Sequence, residues 1–98
     1  MAKLTGKQAR YLRGLGHHLN PTLIIGKEEL SEGVVAEADL ALNSRELIKV
    51  KLLESCLRDR QEVAGELAEK TGAEIAQILG RTFLLYRPSK EKIIKLPA

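Results

Sequence analysis

The stretch Ala73-Glu74-Ile75-Ala76-Gln77-Ile78-Leu79-Gly80-Arg81-Thr82-Phe83-Leu84-Leu85-Tyr86-Arg87 decides the fold. Two largely apolar runs are separated only by Gly80-Arg81, and a two-residue connection with glycine first suits a type II′ hairpin. The reading is an antiparallel pair of strands over 73–79 and 82–87. The second run is apolar at each position from Phe83 to Tyr86, so that strand needs cover on both faces.

Working back toward the N-terminus, Asp59 with Glu62 forms a variant capping box that opens a helix. Val63, Leu67 and the alanines beside them supply its inner face, and Gly72 is a natural terminator. Before it, 46–53 alternates in part: Ile48, Val50 and Leu52 face one way, Lys49 and Lys51 the other. That pattern predicts a strand with one face partly open to water.

Ser31 is a plausible N-cap for an earlier helix running to about Asn43, with the break at Asn43-Ser44. Its inner positions are Val34, Val35, Ala38, Ala41 and Leu42, while Glu32 and Asp39 point away. Thr22-Leu23-Ile24-Ile25, ending at Gly26, reads as a short strand buried on both faces. Ahead of it, Thr5 precedes a helical pattern over 6–19, stopped by Asn20-Pro21. On a wheel, Leu4, Tyr11, Leu12, Leu15 and Leu19 share an arc of about 100°, with Gln8 the polar residue among them. Lys3, Lys7, Arg10, Arg13 and His17 share a separate arc of about 120°.

The expected order is α-β-α-β-α-β-β, an α/β domain with a mixed four-stranded sheet. Both βαβ passages predict parallel neighbouring strands, and the final hairpin must be antiparallel. At 98 residues there is room for one domain. We expect an ordered core over about 3–88 and a basic tail over 89–98.

Net charge is only +3, but it is unevenly spread. Residues 1–27 carry five bases and no acid; residues 28–79 carry twelve acids against six bases; residues 80–98 carry five bases against one acid. Basic ends around an acidic middle can build a local positive surface without a large net charge. Aromatics are scarce, with only Tyr11, Phe83, Tyr86 and no Trp, which argues against extensive base stacking. Cys56 is alone, so no intrachain disulfide can form, and no apolar run suits a leader or a membrane span. The expected location is cytoplasmic, with no membrane contact.

Catalysis is poorly served. His17 and His18 are adjacent and diverge by about 100° on a helix, so they cannot ligate one metal from a shared face. No phosphate-loop, dinucleotide or nucleophile-elbow motif occurs, and Cys56 has no partner that marks it as a nucleophile. No cofactor, metal or small-molecule substrate is expected. Gly26-Lys27, between a strand and a helix start, could approach a phosphate, although Glu28, Glu29 and Glu32 would oppose one.

Leu23-Ile24-Ile25-Gly26-Lys27-Glu28-Glu29-Leu30-Ser31-Glu32-Gly33-Val34 resembles the central segment of CRM domains (chloroplast RNA splicing and ribosome maturation). So do Glu46-Leu47-Ile48-Lys49-Val50-Lys51 and Gly80-Arg81-Thr82-Phe83-Leu84-Leu85-Tyr86-Arg87-Pro88. In order, they cover nearly the whole chain and match the bacterial stand-alone YhbY-type members. The resemblance implies a fold similar to the C-terminal domain of translation initiation factor three, RNA binding, and association with large-subunit precursors. It also implies a GxxG phosphate loop of the KH kind, whose positions here are Gly26, Lys27, Glu28 and Glu29. The second glycine is replaced by a charged residue.

The leading expectation is therefore a non-catalytic protein binding ribosomal RNA during large-subunit maturation. Its predicted contacts are Lys3, Lys7, Arg10 and Arg13 of the first helix, Gly26 and Lys27 of the loop, Lys49 and Lys51, and Arg81 and Arg87 of the hairpin. The alternative is a protein-binding adaptor whose acidic middle docks a basic partner.

Overall fold

The computed structural model describes residues 3–98. Its elements are α1 (Gly6–Gly16), β1 (Leu23–Ile25), α2 (Glu32–Arg45), β2 (Leu47–Leu52), α3 (Arg60–Thr71), β3 (Glu74–Leu79) and β4 (Thr82–Tyr86). They form one α/β domain around a mixed four-stranded sheet of order β1-β2-β4-β3. β1 runs parallel to β2, and β4 is antiparallel to both β2 and β3.

The first βαβ passage joins neighbours, as expected. The second does not, because β4 lies between β2 and β3. The reason is visible in the side chains: Phe83, Leu84, Leu85 and Tyr86 are all buried, and only an inner strand is covered on both faces. The edges fall to β1 and β3. Ile24, predicted to be buried, is 52% exposed, so β1 is covered on one face only.

Two apolar clusters sandwich the sheet. On one face α2 and α3 bring Val34, Ala38, Leu42, Val63 and Leu67 against Ile48, Val50, Phe83 and Leu85. On the other, Leu12 of α1 packs with Leu47, Leu84 and Tyr86, joined by Ile94 and Leu96 from the C-terminal segment. Each fully buried Leu or Ile contributes about 2 kcal/mol of transfer free energy, so the thicker first cluster carries most of the stability.

The helix ends follow their capping chemistry. Thr5 makes a full capping box with Gln8, whose side-chain oxygen accepts the Thr5 N–H at 3.1 Å. The Gln8 amide also donates to the Pro97 carbonyl at 3.1 Å, which accounts for a polar residue inside an apolar arc. Ser31 caps α2 and Asp59 caps α3, and Gly72 ends α3 in the left-handed region. α1 stops at Gly16, earlier than its periodicity suggests. A Cβ at Gly16 would overlap the Leu84 side chain, so the helix rests its backbone on β4 there. This contact rolls Tyr11 and Leu15 partly into solvent, at 44% and 37% exposure.

Asn43-Ser44 does not break α2. The helix continues to Arg45, and Glu46 ends it with a left-handed φ of 66° and an N–H bound to the Leu42 carbonyl. Residues beyond 88, read from sequence as a tail, pack back on α1 and β4 through Ile94, Leu96 and Pro97.

Candidate nucleic-acid interface

Register places one row of side chains across all four strands. Ile24 pairs with Lys51, Lys51 with Thr82, and Thr82 with Leu79, and directly paired residues share a face. This is the face that carries α1, but α1 and the C-terminal segment cover only the Leu47, Leu84 and Tyr86 end. Lys51 is exposed, Ile24 and Leu79 are 52% and 66% exposed, and Thr82 is half-buried. Lys49 and Gln77, both paired with Leu84, are half-buried behind that row. The result is an open strip with ammonium groups at its centre and apolar side chains at its edges.

α1 borders this strip. Its flank with Leu4, Gln8 and Leu15 lies toward the C-terminal segment, through the Gln8–Pro97 bond. On the wheel Arg13 therefore lies on the flank toward the open half of the sheet, with Arg10 next to it nearer the outer side of the helix. Both are exposed, as are Lys7 and Lys3. Lys7 looks outward from the helix, and Lys3 sits at its start beside the C-terminal segment.

At the carboxyl end of β1, the Glu29 N–H binds the Gly26 carbonyl at 3.0 Å and closes a turn. Glu29, at the position of the second loop glycine, has a left-handed φ of 50°. Gly26 does not need positive φ. It is buried, and a Cβ there would press on Ser55 Oγ at 3.1 Å, so its smallness serves the packing of loop 53–56 against this turn. The Gly26 N–H donates to Glu28 Oε1 at 3.2 Å. Hydrogen bonds from the N–H groups of Glu28 itself and Gly26 hold that carboxyl below its ordinary range. The loop's donors thus already serve an anion from the chain itself, while Lys27 is exposed beside them.

The two hairpin arginines have other work. Arg87 donates from Nη1 to Asp39 Oδ1 and the Thr71 carbonyl, both at 2.6 Å, and from Nη2 to the Asp39 carbonyl at 3.1 Å and Asn43 Oδ1 at 2.8 Å. Four of its five N–H groups are thereby used. Arg87 is a clamp between α2 and the end of α3, and Asp39, expected to point away, is its partner. Arg81 donates from Nε to the Leu52 carbonyl and from Nη2 to those of Leu53 and Cys56. It latches the β2–α3 loop through Nε and Nη2.

The structure therefore groups Lys49, Lys51, Arg10 and Arg13 around one surface, with Lys27 at its rim, and withdraws Arg87 from it. Sequence reading missed Ile24, Thr82 and Leu79, because a row across a sheet exists only once strand order is known. Phe83 and Tyr86 are buried, which leaves Tyr11 as the exposed aromatic side chain. Among the described residues, no group of three or more His, Cys, Asp or Glu side chains is arranged to hold a metal ion. No helix among them is long and apolar enough to cross a membrane.

Comparison with known proteins agrees with this architecture. An RNA-binding protein of Haemophilus influenzae is 43% identical over 97 residues, spanning 99% of this chain and 98% of its own. The Bacillus subtilis RNA-binding candidate YqeI is 42% identical over 95 residues, spanning 96% of this chain and 99% of its own. The solution structure of SAV1595 from Staphylococcus aureus, an RNA-binding candidate, superposes with a TM-score of 0.81 at 44% identity, covering 96% of this chain and 99% of that one. The CRS1/YhbY (CRM) domain profile matches residues 4–87, and the chain belongs to that family.

Proposed function

We propose that this protein binds RNA through the open half of its sheet, without catalysing a reaction on it. The observation that carries the reading is the position of Lys51 in the middle of an uncovered strip, with half-buried Lys49 directly behind it and Arg13 and Arg10 on the bordering helix. The names of its relatives support RNA as the ligand. With both sheet aromatics buried, recognition rests on phosphates and shape more than on stacked bases. Ile24, Thr82 and Leu79 offer surface for ribose and base edges between the charges.

The finer reading is ribosomal RNA in precursors of the large ribosomal subunit, with the protein acting in the cytoplasm during ribosome maturation and needing no cofactor. It rests on the family resemblance and on phosphate-led recognition, which suits a structured RNA.

The test is a salt titration of RNA binding by wild type and by Lys49→Gln/Lys51→Gln. Removing two phosphate contacts makes the log–log slope shallower by about 1.5 and weakens all RNAs alike. RNA recovered at unchanged length is the expected result for a binder. Sedimentation of tagged protein with large-subunit precursors, and not with mature subunits, checks the finer reading. A wild-type slope near zero would remove electrostatic RNA binding and return the acidic middle, as an adaptor surface, to first place.

A further inference from the structure

A second basic surface lies at the other end of β4. The C-terminal segment folds back so that Lys92 and Lys95 meet Lys3 around a groove of about 480 Å³, with Leu4, Ile94 and Leu96 in its walls. We propose that this groove is a second phosphodiester-binding site, and that RNA held on the sheet continues over α1 into it. The inference rests on the RNA-binding reading above and extends its footprint to residues which that reading leaves unused.

Three observations carry it. First, the lysines converge from separate parts of the chain, and all three are exposed. The two ion pairs among the described residues, Arg58–Glu66 and Arg87–Asp39, involve none of them. Second, the segment that brings Lys92 and Lys95 is tied by hydrogen bonds to the buried Glu46 carboxylate. Lys92 has a left-handed φ of 49°, and its N–H closes a turn on the Ser89 carbonyl. A strained residue persists only where its surroundings over-determine it. Here the Glu46 carboxylate does so, accepting the N–H groups of Ser89, Ile93 and Ile94 together with the Ser89 hydroxyl. Ordering these lysines before the ligand arrives removes part of the entropy cost of binding.

Third, the path between the two surfaces is itself basic. The open row meets β4 at Thr82 and the groove meets it at Tyr86, a separation of about 13 Å along the strand. α1 stands between them with Lys7, Arg10 and Arg13 exposed. A polyanion crossing from Lys51 to Lys95 passes the exposed cations of α1 on the way, and a small anion would use only one end.

The test compares an RNA of about four nucleotides, near the lower limit of single-strand sites, with one of about twelve. The variant is Lys3→Gln/Lys95→Gln, which leaves the strained Lys92 intact; Lys92→Asn, tolerant of left-handed φ, is the second. Melting curves confirm that each is folded. We expect the double variant to bind the long RNA about tenfold more weakly at moderate salt, with a slope shallower by about 1.4. Short-RNA binding stays unchanged.

Unchanged long-RNA binding in folded Lys3→Gln/Lys95→Gln would overturn the groove and leave the sheet reading standing. Equal losses on both lengths would also overturn it, because they make one merged surface of two. Long-RNA binding that depends on the groove lysines but ignores Lys49 and Lys51 would sustain the groove and sink the sheet reading. No salt-dependent binding of either RNA by wild type would end both.

Discussion

Glu46 Oε2 accepts both the backbone N–H of Ser89, at 2.8 Å, and its hydroxyl, at 2.5 Å. Ile93 and Ile94 add their N–H groups to the same carboxylate at 3.0 and 2.7 Å. Glu46 is fully buried, and an unpaired charge there would be untenable. The same residue ends α2 through its N–H and accepts the Arg87 N–H on its carbonyl at 2.9 Å. One acid thus decides where a helix stops and where the chain's last residues lie.

Burial alone would raise the Glu46 carboxyl, but the Ser89 hydroxyl and the N–H groups of Ile94, Ser89 and Ile93 outweigh it and bring it from 4.5 to about 2. The folded value is the lower one, so the charged form stabilises the fold fully above about pH 4.5, and that contribution is lost as pH falls toward about 2. Thermal melts of wild type should decline across this window. Glu46→Gln should flatten the decline and cost roughly 1–3 kcal/mol at neutral pH, from donors left without their acceptor. An identical pH profile in the variant would place the acid sensitivity elsewhere.

Arg87→Lys should destabilise the fold by about 2 kcal/mol, because a lysine cannot span Asp39, Asn43 and Thr71 with a planar fork. RNA affinity of the folded variant should stay within about twofold of wild type, as expected of a residue outside the interface. Denaturant titration and a binding curve check the two halves. A large loss of affinity without loss of stability would put Arg87 back among the RNA contacts.

Glu29→Gly should stabilise and tighten at once. Glu29 holds a left-handed φ of 50°, a conformation that costs an L-residue about 1 kcal/mol and glycine almost nothing. The change also removes a negative charge beside the proposed RNA path. We expect a higher melting temperature with stronger RNA binding, measured on the same preparation. Higher stability with equal or weaker binding would show that this loop does not touch the RNA backbone.

Gly80→Val should cost about 1–2 kcal/mol. Gly80 has a φ of 58° and nothing within 4 Å of where a Cβ would stand, so the penalty is conformational and not steric. Gly80→Asn should recover much of it, since Asn tolerates left-handed backbone. Equal losses for the two variants, read by urea denaturation, would contradict this account of the turn.

Replacing Lys7, Arg10 and Arg13 together with Gln should leave α1 folded, because Gln is close to Lys and Arg in helix propensity. RNA binding should weaken for every sequence, with the salt slope shallower by up to about 3. Paired salt titrations, with a melting curve for each protein, decide it. A folded variant of unchanged affinity and slope would make the stripe a solvated face.

Local chemistry was legible along the chain. Alternation at Ile48, Lys49, Val50 and Lys51 marked β2, Ser31 and Asp59 marked helix starts, and Gly80-Arg81 marked the hairpin, because each depends on residues within a few positions. The family resemblance rested on segments as local as these. Strand order was not legible, since a split βαβ unit and an adjacent one share the same string of elements; the burial of Phe83, Leu84, Leu85 and Tyr86 on both faces goes with β4 lying between β2 and β3. Nor was the end of α2, where a buried acid in left-handed backbone replaced the expected break at Asn43-Ser44.

The candidate site divides the same way. That α1 has a basic stripe, and that Lys49 and Lys51 face away from the core, followed from periodicity alone. That Arg87 is a clamp, that Gly26 packs against Ser55, and that Ile24, Lys51, Thr82 and Leu79 form one row became visible only in three dimensions. So did the docking of Lys92 and Lys95 beside Lys3. Sequence periodicity states which side of its own element a residue occupies. What stands opposite it depends on contacts between residues tens of positions apart, and only the packed chain decides those.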